Sequence, residues 1–400
     1  MPTFNFLYSI PYIILFLLLY VNVIPLYKSS AGFSFRNNYS IWVQQFFVIA
    51  LLIIFFGFRG FVYTDWINYY RIYDISPSLF DGPSLINKFI ERSSEKGFLL
   101  YMIICKTISP NYFFFQFASC IIDFIILYYF FKRIISEHII FGFVLFIIFS
   151  GISIEFNLFR NSKAMMLFLI SLKYMEERKF IKYVLLNSIG CLFHITSLLY
   201  LPLYFILNKN FSRKVILFIF IIGNIIFLLQ IEWCKYILSF ISSLIPGRLG
   251  VILKTYLLSD YYSRAYGITI GYLERFFSFI IFFCFSKKLY GINRNNIIYI
   301  NAYYIYIFIF LYFSELLIIP ERVATLFLFS YWILYPQTYS LLRKNNKKLF
   351  LVFLLFYGIL KLGVGNKNIL TLYDNVLLQH KSFYERSIIM NQHSKYIFNK

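Results

Sequence analysis

Apolar runs of membrane-span length recur from one end of this chain to the other. They lie near residues 5 to 26, 41 to 57, 113 to 131, 139 to 154, 158 to 175, 213 to 231, 269 to 286, 296 to 313, 318 to 340 and 349 to 364. Crossing about 30 Å of hydrocarbon takes about 20 apolar residues in a helix. Inside that layer each backbone N–H and C=O must find its partner within the protein, which helices do segment by segment. Hydrophobic residues fill 60% of the 400 positions, more apolar surface than a water-soluble core of this size buries. The expected fold is therefore all-α: a polytopic integral membrane protein with about ten full crossings, forming a single integral membrane domain over residues 1–400. The first run has no charged leader region and no A-x-A-like exit, so it is expected to be a retained span.

The formal net charge of +21 is largely topological. The short connections 27–40, 132–138, 173–183, 209–214, 287–295 and 341–348 hold 18 of the 38 Lys and Arg, with only Glu137, Glu176 and Glu177 as acids. The positive-inside rule assigns those six to the cytoplasm. Nucleic acid, the usual partner of so basic a soluble chain, is thereby dispensed with. The segment from Tyr183 to Asn208 begins and ends beside cytoplasmic loops, and its middle is polar, Cys191-Leu-Phe-His-Ile-Thr-Ser197. A single crossing would break the alternation of sides, so the segment 183–208 is expected to be a short-helix hairpin turning near His194, of the kind tolerated along a protein-walled cavity. Two long loops, 58–112 and 232–268, then face outward, as does a C-terminal tail, 365–400. Within the first, Gly97 to Ile108 is short for a span and is expected to lie along the outer surface.

The 52 Phe and 36 Tyr accompany abundant Ile, Asn and Lys, which an AT-rich coding sequence also produces. Aromatic content is therefore poor support for sugar binding. Cys105, Cys120, Cys191, Cys234 and Cys284 stand singly, with no C-x-x-C and no metal-ligand spacing, and are expected to be unpaired packing residues.

Polar residues held at the membrane exits carry the functional signal. In the first outer loop Arg59, Asp65, Asn68, Tyr69, Arg71 and Tyr73 offer guanidinium forks, a carboxylate, an amide and phenols. Arginine binds phosphate bidentately. An interfacial belt of Tyr, Trp and Arg at headgroup level is the structural alternative. A second group, Glu155, Asn157, Arg160, Asn161 and Lys163, runs into the fifth span at three- and four-residue spacings, so much of it shares one helical face. Polar groups at that depth generally face a cavity, although arginine and lysine also snorkel. His194, with a near-neutral intrinsic pKa, suits a proton acceptor as well as a purely structural role. Arg248 and Arg264 lie on the second outer loop, and Glu315, Glu321 and Arg322 at the start of the ninth span. Asp123 is alone in the middle of SCIIDFIIL and requires an inward-facing lysine or arginine, or a polar route.

No P-loop, dinucleotide glycine motif, G-x-S-x-G, H-E-x-x-H or D-x-D occurs. Nucleotide chemistry is disfavoured, and neither a metal site nor a cofactor is expected.

The order F-R-G-x-x-x-x-D-x-x-x-Y at Phe58 to Tyr69, E-x-G-F at Glu95 to Phe98, N-x-x-R-N-x-x-A at Asn157 to Ala164 and F-H-x-x-S at Phe193 to Ser197 resembles the EpsG-type polymerases. These are Wzy-like membrane proteins of exopolysaccharide, capsule and O-antigen assembly. The motifs cover roughly residues 1 to 210, and the hydropathy pattern continues, with Glu321-Arg322, to about 364. Asn161 departs from the family, which often has Gln after the arginine. The resemblance implies an inverting, metal-independent glycosyltransferase in the bacterial cytoplasmic (inner) membrane. It would join oligosaccharide repeat units carried on undecaprenyl pyrophosphate, donor and acceptor alike, at the outer face. Arg59, Arg160 and Arg322 would hold the pyrophosphate, with Asp65 or His194 as catalytic base. Membrane lipid, a flippase and a chain-length regulator are the partners implied.

A lipid-linked oligosaccharide flippase would share the spans and a basic cavity but lack large outer loops. A membrane acyltransferase would also place a histidine at the membrane, yet no acid lies within a few residues of His194.

Overall fold

A computed structural model describes residues 2–24, 38–244, 247, 250, 251, 254, 255, 257, 267–316 and 318–398. Arg248 and Arg264 lie outside the described residues. Secondary structure among the described residues is helical, with isolated β-bridges and no strand. Two compact units form: Met1–Leu201 with Leu342–Lys400, and Pro202–Leu341.

The first unit contains α1 (Ile10–Val21), α2 (Asn38–Gly57), α3 (Trp66–Asp74), α4 (Pro83–Ile90), α5 (Lys96–Ile108), α6 (Tyr112–Ile134), α7 (Ile139–Phe146), α8 (Ile152–Asn157), α9 (Phe159–Glu176), α10 (Phe180–Phe193) and, after the second unit, α17 and α18. The second unit contains α11 (Arg213–Leu228), α12 (Trp233–Leu244), α13 (Ile270–Ile292), α14 (Asn296–Tyr312), α15 (Ile318–Arg322) and α16 (Phe329–Leu341). The remaining two are α17 (Lys344–Gly365) and α18 (Phe383–Phe398).

Among the described residues three segments can cross a membrane by length and composition, Tyr112–Ile134, Ser136–Asn157 and Lys344–Gly365, and a fourth if α11 and α12, bent by 82°, count as one. The limits of α6 follow from its sequence. The Asn111 side chain accepts the Phe113 N–H at 2.8 Å at its start, and Lys132 and Arg133 occupy the last turn, where cations oppose the helix dipole. Ser136–Asn157 is not one regular helix, because Ser150 takes a left-handed φ of 66° between α7 and α8. The run expected as one span over 318–340 is also broken. It divides into α15, a 3₁₀ turn at Ala324–Phe327 and α16, with the polar pair Glu321-Arg322 exposed where α15 ends.

Residues 183–200 fold back on themselves at His194. The Tyr183 hydroxyl donates to the Tyr200 carbonyl at 2.5 Å, and the Ser197 hydroxyl to the Asn187 carbonyl at 2.9 Å. The returning arm begins as a 3₁₀ segment, Ile195–Tyr200, and continues into a single α-helical turn at Leu203–Ile206.

Helix α5 packs one face into the protein and leaves Leu100, Ile104 and Ile108 exposed. Phe98, Leu99, Met102, Ile103 and Cys105 are buried in an aromatic core with Trp66, Tyr69, Tyr73, Phe89, Tyr112, Phe115 and Phe159. Its Gly97 is what permits that position, because a Cβ there would stand 2.7 Å from Leu192 Cβ of α10. All five cysteines are free.

The C-terminal segment is stitched to the start of the segment 58–112. The Val376 N–H donates to the Phe58 carbonyl (2.7 Å), Gly60 to Asp374 (3.0 Å) and Tyr63 to Leu370 (2.8 Å), and Arg386 pairs with Asp374 at 3.0 Å.

In the second unit, ring stacking joins the helices: Phe220 of α11 lies on Phe279 of α13 at 3.6 Å, and Phe227 on Tyr272 at 4.5 Å. Gln337 of α16 donates to Asn296 of α14 at 3.0 Å. Glu321 and Arg322 are exposed on the single turn of α15.

Candidate functional site

Three polar motifs far apart in sequence meet in the first unit. Glu95, at the start of α5, accepts a charged hydrogen bond from Arg160 Nη1 of α9 through Oε2, and its Oε1 stands 3.7 Å from His194 Nε2. The other ring nitrogen of His194 is 2.7 Å from the Thr196 hydroxyl, which donates to Asn161 Oδ1 at 2.8 Å. One carboxylate thus links a guanidinium to an imidazole, and the imidazole is oriented from behind by Thr196 and Asn161. Tyr69 of α3 lies under the Arg160 guanidinium, 5.9 Å from carbon to ring centroid. Burial raises the Tyr69 phenol pKa above its ordinary value, against the opposing pull of Arg160.

Local chain chemistry accounts for the assembly. His194 closes α10 in an extended conformation, and its Nδ1 caps the 3₁₀ segment that follows, accepting the Thr196 N–H at 3.3 Å. Gly97 lets α5 approach the last turn of α10, which brings Glu95 beside that ring. Arg160 opens α9 directly after the break at Leu158.

Beneath this group lies a second set of charges. Asp123, mid-way along α6 and fully buried, accepts Lys163 Nζ at 2.5 Å and the Ser162 hydroxyl at 3.1 Å. Lys163 also donates to the Ser119 carbonyl at 3.0 Å. Lys163 is therefore the inward cation that Asp123 requires. Glu155 is buried alongside, with its Oε1 lacking a hydrogen-bond partner.

Arg59 occupies an interior position and not the open surface expected of a pyrophosphate ligand. It is 2% exposed, its fork donating to the Phe56 carbonyl and, at 2.8 Å, to the Glu155 carbonyl, with its carbon 4.6 Å from the Phe156 ring centroid. Burial lowers its pKa from the ordinary arginine value. Asn157 is likewise turned inward on the protein: its Oδ1 accepts the Thr64 and Asp65 N–H groups at 3.1 and 3.3 Å and so sets the turn that carries Asp65. Asn68 and Arg71 are exposed on α3. Glu321 and Arg322 belong to the second unit.

Glu95 is the residue that reasoning from chemistry alone passes over. Its signal was present in E-x-G-F, where the glycine allows close helix packing and the phenylalanine is buried. No group of three or more His, Cys, Asp or Glu with metal-ligand geometry occurs among the described residues.

In chemical terms the cluster offers a fixed cation for an anionic group and an oriented imidazole for a proton. Comparison with protein families matches residues 42–368 to the EpsG family. No curated protein and no solved structure matches the chain.

Proposed function

The chain belongs to the EpsG family, and from that premise we propose that it is a membrane glycosyltransferase polymerising oligosaccharide repeat units into a surface polysaccharide. The donor and acceptor are carried on undecaprenyl pyrophosphate, and the work is done at the outer face of the bacterial cytoplasmic membrane, with about ten crossings in a single membrane domain. What carries the reading is the meeting of Glu95, Arg160 and His194, three segments joined at one point with a cation and a proton acceptor side by side.

Arg160 holds the donor pyrophosphate and stabilises the charge that develops as it leaves. The acceptor hydroxyl oxygen forms the new bond to the anomeric carbon while the bond from that carbon to the pyrophosphate oxygen breaks, with inversion. His194 takes the hydroxyl proton. Glu95 orients both groups, and Asn161 with Thr196 fixes the imidazole. Asp65, on the turn set by Asn157, is the alternative base. Arg59 acts from the interior, by tying the first outer loop to the Glu155 backbone.

The experiment is deletion of the gene followed by inspection of the lipid-linked glycan. Single repeat units persist and long chains disappear if the reading holds; persistence of long chains overturns it. Units trapped on the inner face would identify a flippase instead.

A further inference from the structure

Among the cavities that the polymerase reading leaves unused, one is built from two segments far apart in the chain. It measures about 410 Å³ and opens between the first outer loop and the C-terminal segment. That volume falls within the range of about 300 to 1,000 Å³ usual for small-molecule sites. One wall comes from Phe61, Tyr70, Asp74 and Asn111 to Phe113, the other from Val376, His380, Ser382 and Phe383. The family match ends at 368, so the second wall is supplied by residues beyond it.

We propose that this cavity is a carbohydrate subsite that selects the repeat unit, with specificity contributed by the C-terminal segment; the proposal rests on the polymerase reading. The walls combine half-buried aromatic rings, Tyr70, Phe113 and Phe383, with the exposed polar side chains of Asp74, Asn111 and His380. A saccharide ring presents the complement, an apolar C–H face and a polar edge of hydroxyls. The Asp74 carboxylate accepts hydroxyl hydrogen bonds and repels a phosphate, which separates this cavity from the Arg160 group. A fatty chain would offer Asp74 and His380 no hydrogen bond.

The cavity and the charged cluster use different faces of one helix. Tyr69 of α3 meets Arg160, whereas Tyr70 and Asp74, four residues apart and on a shared face, line the cavity. A helix with its side chains is about 10 Å across. The cavity therefore receives a sugar removed from the reacting one, where binding energy discriminates between repeat units without entering the chemical step. A site built to hydrogen-bond hydroxyls rejects an analogue lacking one far more strongly than an apolar pocket does. The position of the second wall is enforced by Gly60, where a Cβ would stand 2.0 Å from Asp374 Oδ1 and 3.2 Å from His380 Cβ.

The test uses the full chain purified in lipid nanodiscs. The probe is the organism's single repeat-unit oligosaccharide, released without its pyrophosphate from the lipid carrier of the gene-deletion strain, and affinity is read by titration calorimetry. Wild type binds it, Asp74→Asn and His380→Ala each weaken binding about 10-fold, the loss expected for one hydrogen bond to a charged or strongly polar group. Arg160→Ala leaves this affinity within about 2-fold, because the probe lacks the anion that Arg160 would hold. Equal affinity in wild type, Asp74→Asn and His380→Ala, or no binding by wild type, overturns the subsite while the polymerase reading stands. Long chains in the deletion strain overturn the polymerase reading itself.

Discussion

Glu95 Oε1 stands 3.7 Å from His194 Nε2 while the other oxygen of the same carboxylate is held by Arg160. A single acid therefore sets the spacing between the anion holder and the proton acceptor. Glu95→Gln keeps the shape of the side chain and removes its charge. Conversion of single lipid-linked units to chains is expected to fall about 10²-fold, the low end of a general acid–base contribution. Protein abundance should be unchanged, and wild-type turnover in this variant would remove Glu95 from the site.

Asp123 and Lys163 predict a different kind of failure. Removing one member of a buried ion pair leaves the other uncompensated, which destabilises a protein by about 3 to 5 kcal/mol. Asp123→Ala should therefore lower the thermal unfolding midpoint in detergent sharply. The double variant Asp123→Leu with Lys163→Met should recover much of it; a double variant worse than the single would contradict the pairing.

Gly97→Val tests the approach of α5 to α10. The added carbons meet Leu192, with its Cβ at 2.7 Å and carbonyl oxygen at 3.1 Å from the position of a Cβ. Overpacking of this sort destabilises by about 1 to 3 kcal/mol. Because the same contact places Glu95 by His194, polymer length should fall further than protein abundance does. Leu192→Gly in the same chain, which removes the Cβ that the new side chain meets, should restore part of the loss.

The C-terminal helix α18 should dock in a pH-dependent manner. His393 Nε2 lies 2.9 Å from Asn368 Nδ2, and burial lowers the His393 pKa from its ordinary value of 6.5. The undocked chain then binds more protons than the docked one in the window below about pH 6.5, so docking is fully present above that value and weakens as pH falls toward the lowered pKa. Amide protection across 383–398, taken relative to the intrinsic exchange rate at each pH, should fall between about pH 7 and pH 5.5 in wild type and lose this dependence in His393→Asn. An unchanged profile in the variant would assign the effect elsewhere.

Much of this protein is legible without coordinates because membrane residence is a local property. An apolar run, a capping Asn111 or a basic loop declares itself within a few residues, and the helical class follows from the need to satisfy each backbone group in place. Motifs such as Asn157 to Ala164 and Phe193 to Ser197 were visible for the same reason, as compact departures from an apolar background. The demand of Asp123 for a cation was visible as well, although not the identity of Lys163.

Tertiary structure decided which polar residues share a site. Arg59 and Arg160 look equivalent as letters, but Arg59 is closed in by Phe156 and backbone carbonyls while Arg160 meets Glu95, 65 residues earlier in the chain. The C-terminal segment gave no sequence signal that it would return to Phe58 and Gly60, some 300 residues away. Such contacts depend on shape, on where a glycine lets two backbones approach and on which rings fill the space between helices. Periodicity records which face of a helix is apolar; it carries no record of what that face will meet.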